Sequence, residues 1–295
     1  MYIAQFLDFL RFEKKYSVYT VLSYQKDLND FSQFLSNSNN TSEETKITHH
    51  LIRAFIVSLS EQNLSEKTIN RKISALKSYF NYLQKGGKVA QNPVHKIASL
   101  KIKKSLPQFV DDKKMEQLLV KKAPSENQNW VSCRNNLIIE LLYGTGIRLS
   151  ELINLKVSQI NIGNQSIKVL GKRNKERLVP LYPALLSEVT QFIELSKKTI
   201  ENYGNLLFCL PNGKPLYPML IYKLVKDSLV EVTTQKKRSP HVLRHSFATS
   251  MLNNGADLNA IKTILGHSSL AATQVYTHSN FEQLKSIYKQ AHPKG

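Results

Sequence analysis

At 295 residues and 41% hydrophobic content, the chain can build two ordinary cores and is too apolar for a disordered polymer. A net charge of +19 with a pI near 9.8, shared by both halves rather than held in a tail, points to a polyanionic partner. No apolar run approaches the ~20 residues of a membrane span. Met1 to Leu10 lacks the basic segment of a signal peptide. The distant cysteines, Cys133 and Cys209, supply neither a disulfide framework nor a zinc site and fit a reducing cytoplasm.

The first hundred residues read as helices. Ile3, Phe6, Leu7 and Leu10 form a stripe in a first helix, Tyr2 to Lys14. Ser17 opens a second, with Val21, Tyr24, Leu28, Phe31 and Phe34 inside. A polar loop, 36–47, precedes a third helix from Thr48 to Glu61. Ser65 caps a fourth, with Ile69, Ile73, Leu76, Phe80 and Leu83 as its core face, and Gly86-Gly87 ends it. These four predict a small helical domain over 1–87. Lys67, Asn70, Arg71 and Lys72 on the fourth helix, with Tyr19, Thr20 and Lys26 on the second, are its nucleic-acid contact candidates. Residues 88–107, with two prolines and five lysines, read as a basic linker.

A second domain starts near Gln108. Helices are predicted from Asp111 or Asp112 to Val120 and from Gln128 to Tyr143, broken by Gly144 and Gly146. Arg148 then starts a short helix in which Glu151, three residues on, can pair with it. Ile160–Ile162, Ser166–Leu170 and Glu176–Pro180 predict a three-stranded antiparallel sheet. Lys172 belongs to its second turn, 171–174, a tip that could enter a groove, with Arg173 and Lys175 as DNA-contact candidates beside it. Helices follow over 183–198 and 218–232. Ser239 and Pro240 open another, which places His241 and Arg244 on one face and packs Val242, Leu243, Phe247, Met251 and Leu252. A helix from Asp257 to Leu265 has Leu258, Ile261 and Leu265 as its stripe. Gly266 closes it, so that His267 falls just past its end. Ser269 caps a short helix carrying Tyr276, and the tail 281–295 reads as a one-sided helix. The fold class is mainly α with a small antiparallel β-sheet, in two domains.

Two imidazoles, two guanidiniums and a phenol on linked elements suit one anion. Arginine forks match a phosphate and stay protonated. Imidazoles donate or move protons. No His-Glu-x-x-His, paired-carboxylate or Cys/His cluster calls for a metal, and no phosphate-binding Gly-Lys loop calls for a nucleotide; no cofactor is expected.

Three boxes carry a resemblance. They are Tyr143-Gly-Thr-Gly-Ile-Arg148-Leu-Ser-Glu151-Leu, Gly171-Lys172-Arg-Asn-Lys-Glu-Arg-Leu-Val-Pro-Leu181, and His241-Val-Leu-Arg244-His-Ser-Phe-Ala-Thr followed by Leu265-Gly-His267-Ser and Tyr276. In this order and spacing the chain resembles the tyrosine recombinases, of the Xer subgroup. The resemblance implies a two-domain DNA clamp: a SAM-like core-binding domain over 1–87 and a catalytic domain over 108–280. Tyr276 would be the nucleophile, giving a 3′-phosphotyrosyl and a free 5′-hydroxyl. Arg148, His241, Arg244 and His267 would clamp the scissile phosphate. Lys172 would be the general acid, with Lys175 as the alternative, and Glu151 would support Arg148. Arg173 stands where many relatives have a small residue. The implied partners are double-stranded DNA bearing a specific recombination site, a homo- or heterotetrameric ring linked by exchange of the 281–295 tail, and an activating DNA translocase. The implied role is resolution of chromosome dimers at cell division in a bacterial cytoplasm. A mobile-element integrase or DNA invertase of the same family is the alternative. A non-catalytic architectural DNA-binding protein is the reading from another class.

Overall fold

The computed structural model describes residues 2–37, 43–102, 108–121, 129–171, 175–235, 237–266 and 278–294. The chain divides into two compact units, 1–105 and 106–295.

The first unit is helical. α1 (Ile3–Asp8) runs into a π-helical turn (Phe9–Glu13), followed by α2 (Val18–Asn37), α3 (His49–Glu61) and α4 (Glu66–Lys85). Thr48 and Ser65 cap α3 and α4 through their hydroxyls. The apolar stripes meet in one core that includes Phe6, Leu28, Phe31, Phe55, Leu76 and Phe80. The polar 36–47 segment contributes more than a loop. Glu44, in a short 3₁₀ turn, accepts 2.7 Å bonds from the Tyr79 hydroxyl and the Tyr2 amide.

Residue 88 does not begin a free linker. Val89 and Val94 are buried in the first unit's core. The Asn92 side chain donates to Asn81 and accepts from the Val94 amide, shaping the turn between them. Leu100 exchanges two backbone bonds, of 2.8 and 2.9 Å, with the Asn70 side chain. The low periodicity of 88–102 reflects irregular chain anchored at a few buried points, Val89, Asn92 and Val94, and at the Leu100–Asn70 bonds to α4, with most of its other side chains exposed.

The second unit contains α5 (Asp112–Lys121), α6 (Trp130–Thr145), α7 (Leu149–Ile153), α8 (Pro183–Thr199), α9 (Pro218–Val230), α10 (Pro240–Asn253), α11 (Leu258–Leu265) and α12 (His278–Ala291). Its antiparallel sheet has the order β1 (Ile160–Asn161), β2 (Ser166–Leu170), β3 (Glu176–Pro180). Leu170 pairs with Glu176, and the Gly171 amide bonds to the Lys175 carbonyl, so the ladder continues to the base of the β2–β3 turn. Gly144 does not break α6; it lies within the helix, where a Cβ would meet Leu185 and Tyr182 at 3.1 Å, tighter than ordinary contact. Gly146 ends it at φ +61, and a Cβ there would lie 2.5 Å from the Phe247 ring. Leu252 and Leu258 are exposed, and Ile264 takes the place expected for Leu258 in the core of α11.

The tail packs on its own domain in this single chain. Phe281, Leu284, Tyr288 and Ala291 of α12 are buried in the second unit's core. The Tyr288 hydroxyl donates to the Gly144 carbonyl at 2.7 Å. The expectation that this helix is handed to a neighbour is not the arrangement of the isolated chain, in which undocking would expose four core side chains.

Candidate active site

The site is organised by the C-terminus of α11. A helix leaves its last carbonyls without intrahelical donors, and they carry the negative end of its dipole. Here three consecutive carbonyls accept from three different arginines. Ile264 accepts from Arg177 Nε at 2.6 Å, Leu265 from Arg244 at 2.6 Å, and Gly266 from Arg148 at 3.0 Å. Gly266 adopts φ +66 and lies so close that a Cβ would meet Arg177 Cδ at 3.0 Å. Asp257 fixes the other end of α11 by accepting from the Asn259 and Ala260 amides.

Glu151 ties these arginines together. Its carboxylate accepts from the Arg148 amide at 2.7 Å and from the Arg148 guanidinium at 2.8 Å. The Arg177 guanidinium grips the same carboxylate through both oxygens, at 2.9 and 2.8 Å. Burial opposes ionisation of Glu151, but the bonds and charge of Arg177, joined by those of Arg148, hold its carboxyl below the ordinary range. Arg244, which also donates to the Gly146 carbonyl, is pushed down to about 10 by burial and by repulsion from Arg148 and Arg177. It stays protonated at neutral pH. Arg148 keeps a quarter of its side chain accessible, whereas Arg177 is 4% exposed. The result is a rigid cationic floor with Arg148 as its more open fork, suited to a phosphate diester.

Of the sequence candidates, the structure unites Arg148, Glu151 and Arg244. His241 is exposed on the first turn of α10, in a concave basic patch with Gln108, Lys237, Arg238 and His245. Lys175 is exposed at the base of the β2–β3 turn. Lys172, Arg173, His267 and Tyr276 lie outside the described residues. Tyr288, the neighbouring phenol in sequence, is buried, donates to Gly144, and has its hydroxyl pushed well up by burial. It is not placed to be a nucleophile. Arg177 was missed by sequence reading. Strand alternation puts it on the same face as buried Val179, and a buried arginine requires a carboxylate; that was the available signal.

The nucleic-acid candidates of the first unit separate. Tyr19 is 84% exposed, and Lys26 and Lys67 are exposed. Thr20 is half-buried and bonded to Ser17. Arg71, part exposed, is tied to Ser23 and Asp27. Asn70 is used to hold Leu100. Lys72 is 4% exposed and paired with Asp27 at 3.1 Å and with Asp30. Lys72 is therefore held in buried ion pairs, and the Asn70 amide is already bonded to Leu100 through both its oxygen and its nitrogen.

A helical, basic, two-unit protein with a small sheet and a clustered arginine floor belongs to the proteins that bind and process a phosphate backbone. Comparison narrows this class. The phage integrase family model matches residues 108–283, and the phage integrase N-terminal SAM-like domain matches residues 3–87. The tyrosine recombinase XerC of Listeria innocua serovar 6a is 35% identical over 294 residues, covering 98% of this chain and 97% of the relative. The tyrosine recombinase XerD of Staphylococcus haemolyticus is 35% identical over 303 residues, covering 99% and 98%. Among solved structures, the XerH site-specific recombinase bound to a palindromic difH substrate superposes with a TM-score of 0.73 at 23% identity, covering 99% of this chain and 81% of that one. The chain belongs to the phage integrase family, the tyrosine recombinases, which cut and rejoin DNA site-specifically through a 3′-phosphotyrosyl intermediate.

Proposed function

We propose that this recombinase resolves chromosome dimers at cell division, acting at a specific duplex site in the bacterial cytoplasm. Full-length similarity to both XerC and XerD relatives supports the reading. In it, Tyr276 Oη attacks the scissile phosphorus. The Oη–P bond forms and the P–O5′ bond breaks. The phenol's proton passes to His241, and the leaving 5′ oxygen takes a proton from Lys172, or from Lys175 if the turn presents that lysine instead. Arg148, Arg244 and His267 hold the non-bridging oxygens as charge develops there. Rejoining reverses the step, with a 5′-hydroxyl of the partner strand attacking the phosphotyrosine and Tyr276 regaining its proton. Bond energy is kept in the covalent link, so no cofactor or metal is required. Four protomers, alike or of two related kinds, form a ring by passing α12 to the neighbour, and a DNA translocase activates it.

The observation that carries the reading is the arginine floor, which brings Arg148 and Arg244 onto the two residues preceding His267. A nicked duplex that loses a short fragment on cleavage tests it. The wild type is expected to trap an SDS-resistant adduct, 3′-linked to a peptide containing Tyr276. Tyr276→Phe removes one oxygen and should bind DNA equally while giving no adduct. An adduct that persists in the variant would overturn the assignment.

A further inference from the structure

We infer that Arg177 is a positioning residue for DNA cleavage, acting on the scissile phosphate through Glu151 and Arg148. The inference rests on the recombinase reading above and adds to it a residue of β3 buried within the arginine floor. Arg177 is nearly sealed from solvent, yet all three of its guanidinium nitrogens are bonded to parts of the site: Nε to Ile264, the other two to the carboxylate of Glu151. That carboxylate also holds the backbone and the side chain of Arg148. With both of its oxygens gripped by Arg177, Glu151 has one orientation available, and Arg148 inherits it. The same guanidinium lies against Gly266, the last described residue before His267. Arg177 begins the inward face of β3, the strand that leaves the β2–β3 turn, and a Cβ added at Gly171, at the other foot of that turn, would lie 3.6 Å from its guanidinium. One side chain therefore joins the base of the lysine turn, the Arg148 box and the end of α11.

A purely structural ion pair would stabilise the domain without discriminating between substrates. A positioning residue shows which reacting atom it serves. Replacing one non-bridging oxygen of the scissile phosphate by methyl removes the charge that Arg148 offsets. Replacing the 5′-bridging oxygen by sulfur removes the need for the general acid. Single-turnover cleavage by the full chain, at saturating DNA and well below the melting temperature, is compared between the wild type and single and double variants. On normal DNA, Arg177→Met is expected to cleave about 10²-fold slower than wild type with DNA affinity retained. It should recover on the methylphosphonate, as is expected of Arg148→Ala, and should not recover on the 5′-thio substrate, where recovery is expected of Lys172→Ala. Arg177→Lys keeps the charge without the fork and should show the same pattern with a smaller loss. It decides the matter if Arg177→Met does not fold. In a Glu151→Gln background, Arg177→Met should slow cleavage little further, because the link is already cut.

An unaffected Arg177→Met, a loss equal on all three substrates, or recovery on the 5′-thio substrate alone would overturn the proposal while leaving a wild-type adduct at Tyr276 intact. Absence of that wild-type adduct would overturn the recombinase reading, and this inference with it.

Discussion

The ammonium of Lys72 is held between Asp27 and Asp30 inside the first unit, and this changes what its charge does. A buried pair contributes little net stability when intact, but removing one partner strands the other. Lys72→Met should therefore lower unfolding stability by about 3 kcal/mol, limited by the hold Arg71 keeps on Asp27. The dependence of DNA affinity on salt should not change. Lys67→Ala, on an exposed position, should do the reverse: stability within ~0.5 kcal/mol and a salt slope shallower by ~0.9 if Lys67 meets a phosphate. Urea unfolding and a salt titration of DNA binding separate the two; a shallower slope for Lys72→Met would restore it to the DNA face. The contrast also shows where sequence reading reaches. Arg148 and Arg244 are legible because motif and chemistry agree. Lys72 is three residues from Ile69 and four from Leu76, on the buried stripe itself, but charge alone reads as surface. Its partners lie 42 and 45 residues away, and no local pattern joins them. Arg177 is obscured in the same way, because its meaning depends on Glu151, 26 residues back.

Helices and strands were largely legible from periodicity and caps, while their junctions depend on packing. Gly144 in α6 and the stretch 88–102 are the clearest cases, since each is set by a neighbouring element. The tail is another. Its stripe of Phe281, Leu284 and Tyr288 is evident in sequence, but the polar chemistry at its end is not. His292 stacks on Tyr182 and Tyr288 and its Nδ1 accepts from the Lys294 amide, while Lys294 pairs with Glu140 of α6. Burial, and then the charge of Lys294, push the His292 imidazole down from 6.5 to about 3, against the pull of Glu140. Burial, and then the nearby Glu140, push Glu188 of α8 up from 4.5 to about 8. The signs are opposite. The stability that neutral His292 contributes is full above pH 6.5 and is lost as pH falls toward 3, an effect of at most about 5 kcal/mol. The stability that protonated Glu188 contributes is full below 4.5 and is lost as pH rises through 8. Docking of α12 should be firmest between these limits. Hydrogen exchange of residues 278–294 should accelerate on both sides. His292→Phe should flatten the acid limb and Glu188→Gln the alkaline limb. A profile unchanged by either substitution would mean that these groups do not govern docking.

At the scale of the whole molecule, both units belong to a chain of charge +19, so counterion release should dominate its affinity for any duplex. Electrostatics alone would not, however, order the four protomers of the proposed ring. That requires a contact between chains, and α12 is the element with the right chemistry. Its buried apolar side chains are each worth roughly 1.5–3 kcal/mol, and it presents a hydroxyl to Gly144, inside the Arg148 box. The same contacts made in trans would cost little relative to those made in cis. Side-by-side binding on one DNA site raises the effective concentration of the neighbour's tail. A head-to-tail transfer of this kind closes into a ring when the rotation permits. Complementation distinguishes the two arrangements. A chain ending at Asn280 keeps the proposed nucleophile but has an empty groove, and Tyr276→Phe keeps its tail but lacks that nucleophile. Alone, neither should form a covalent adduct efficiently. Mixed on a two-site duplex, the Phe variant should fill the empty groove and restore cleavage by the truncated chain. A Tyr288→Ala change in the donor should abolish that rescue. If the truncated chain does not fold, full-length Tyr288→Ala takes its place as recipient. An adduct yield no higher in the mixture than in either protein alone would confine α12 to its own domain.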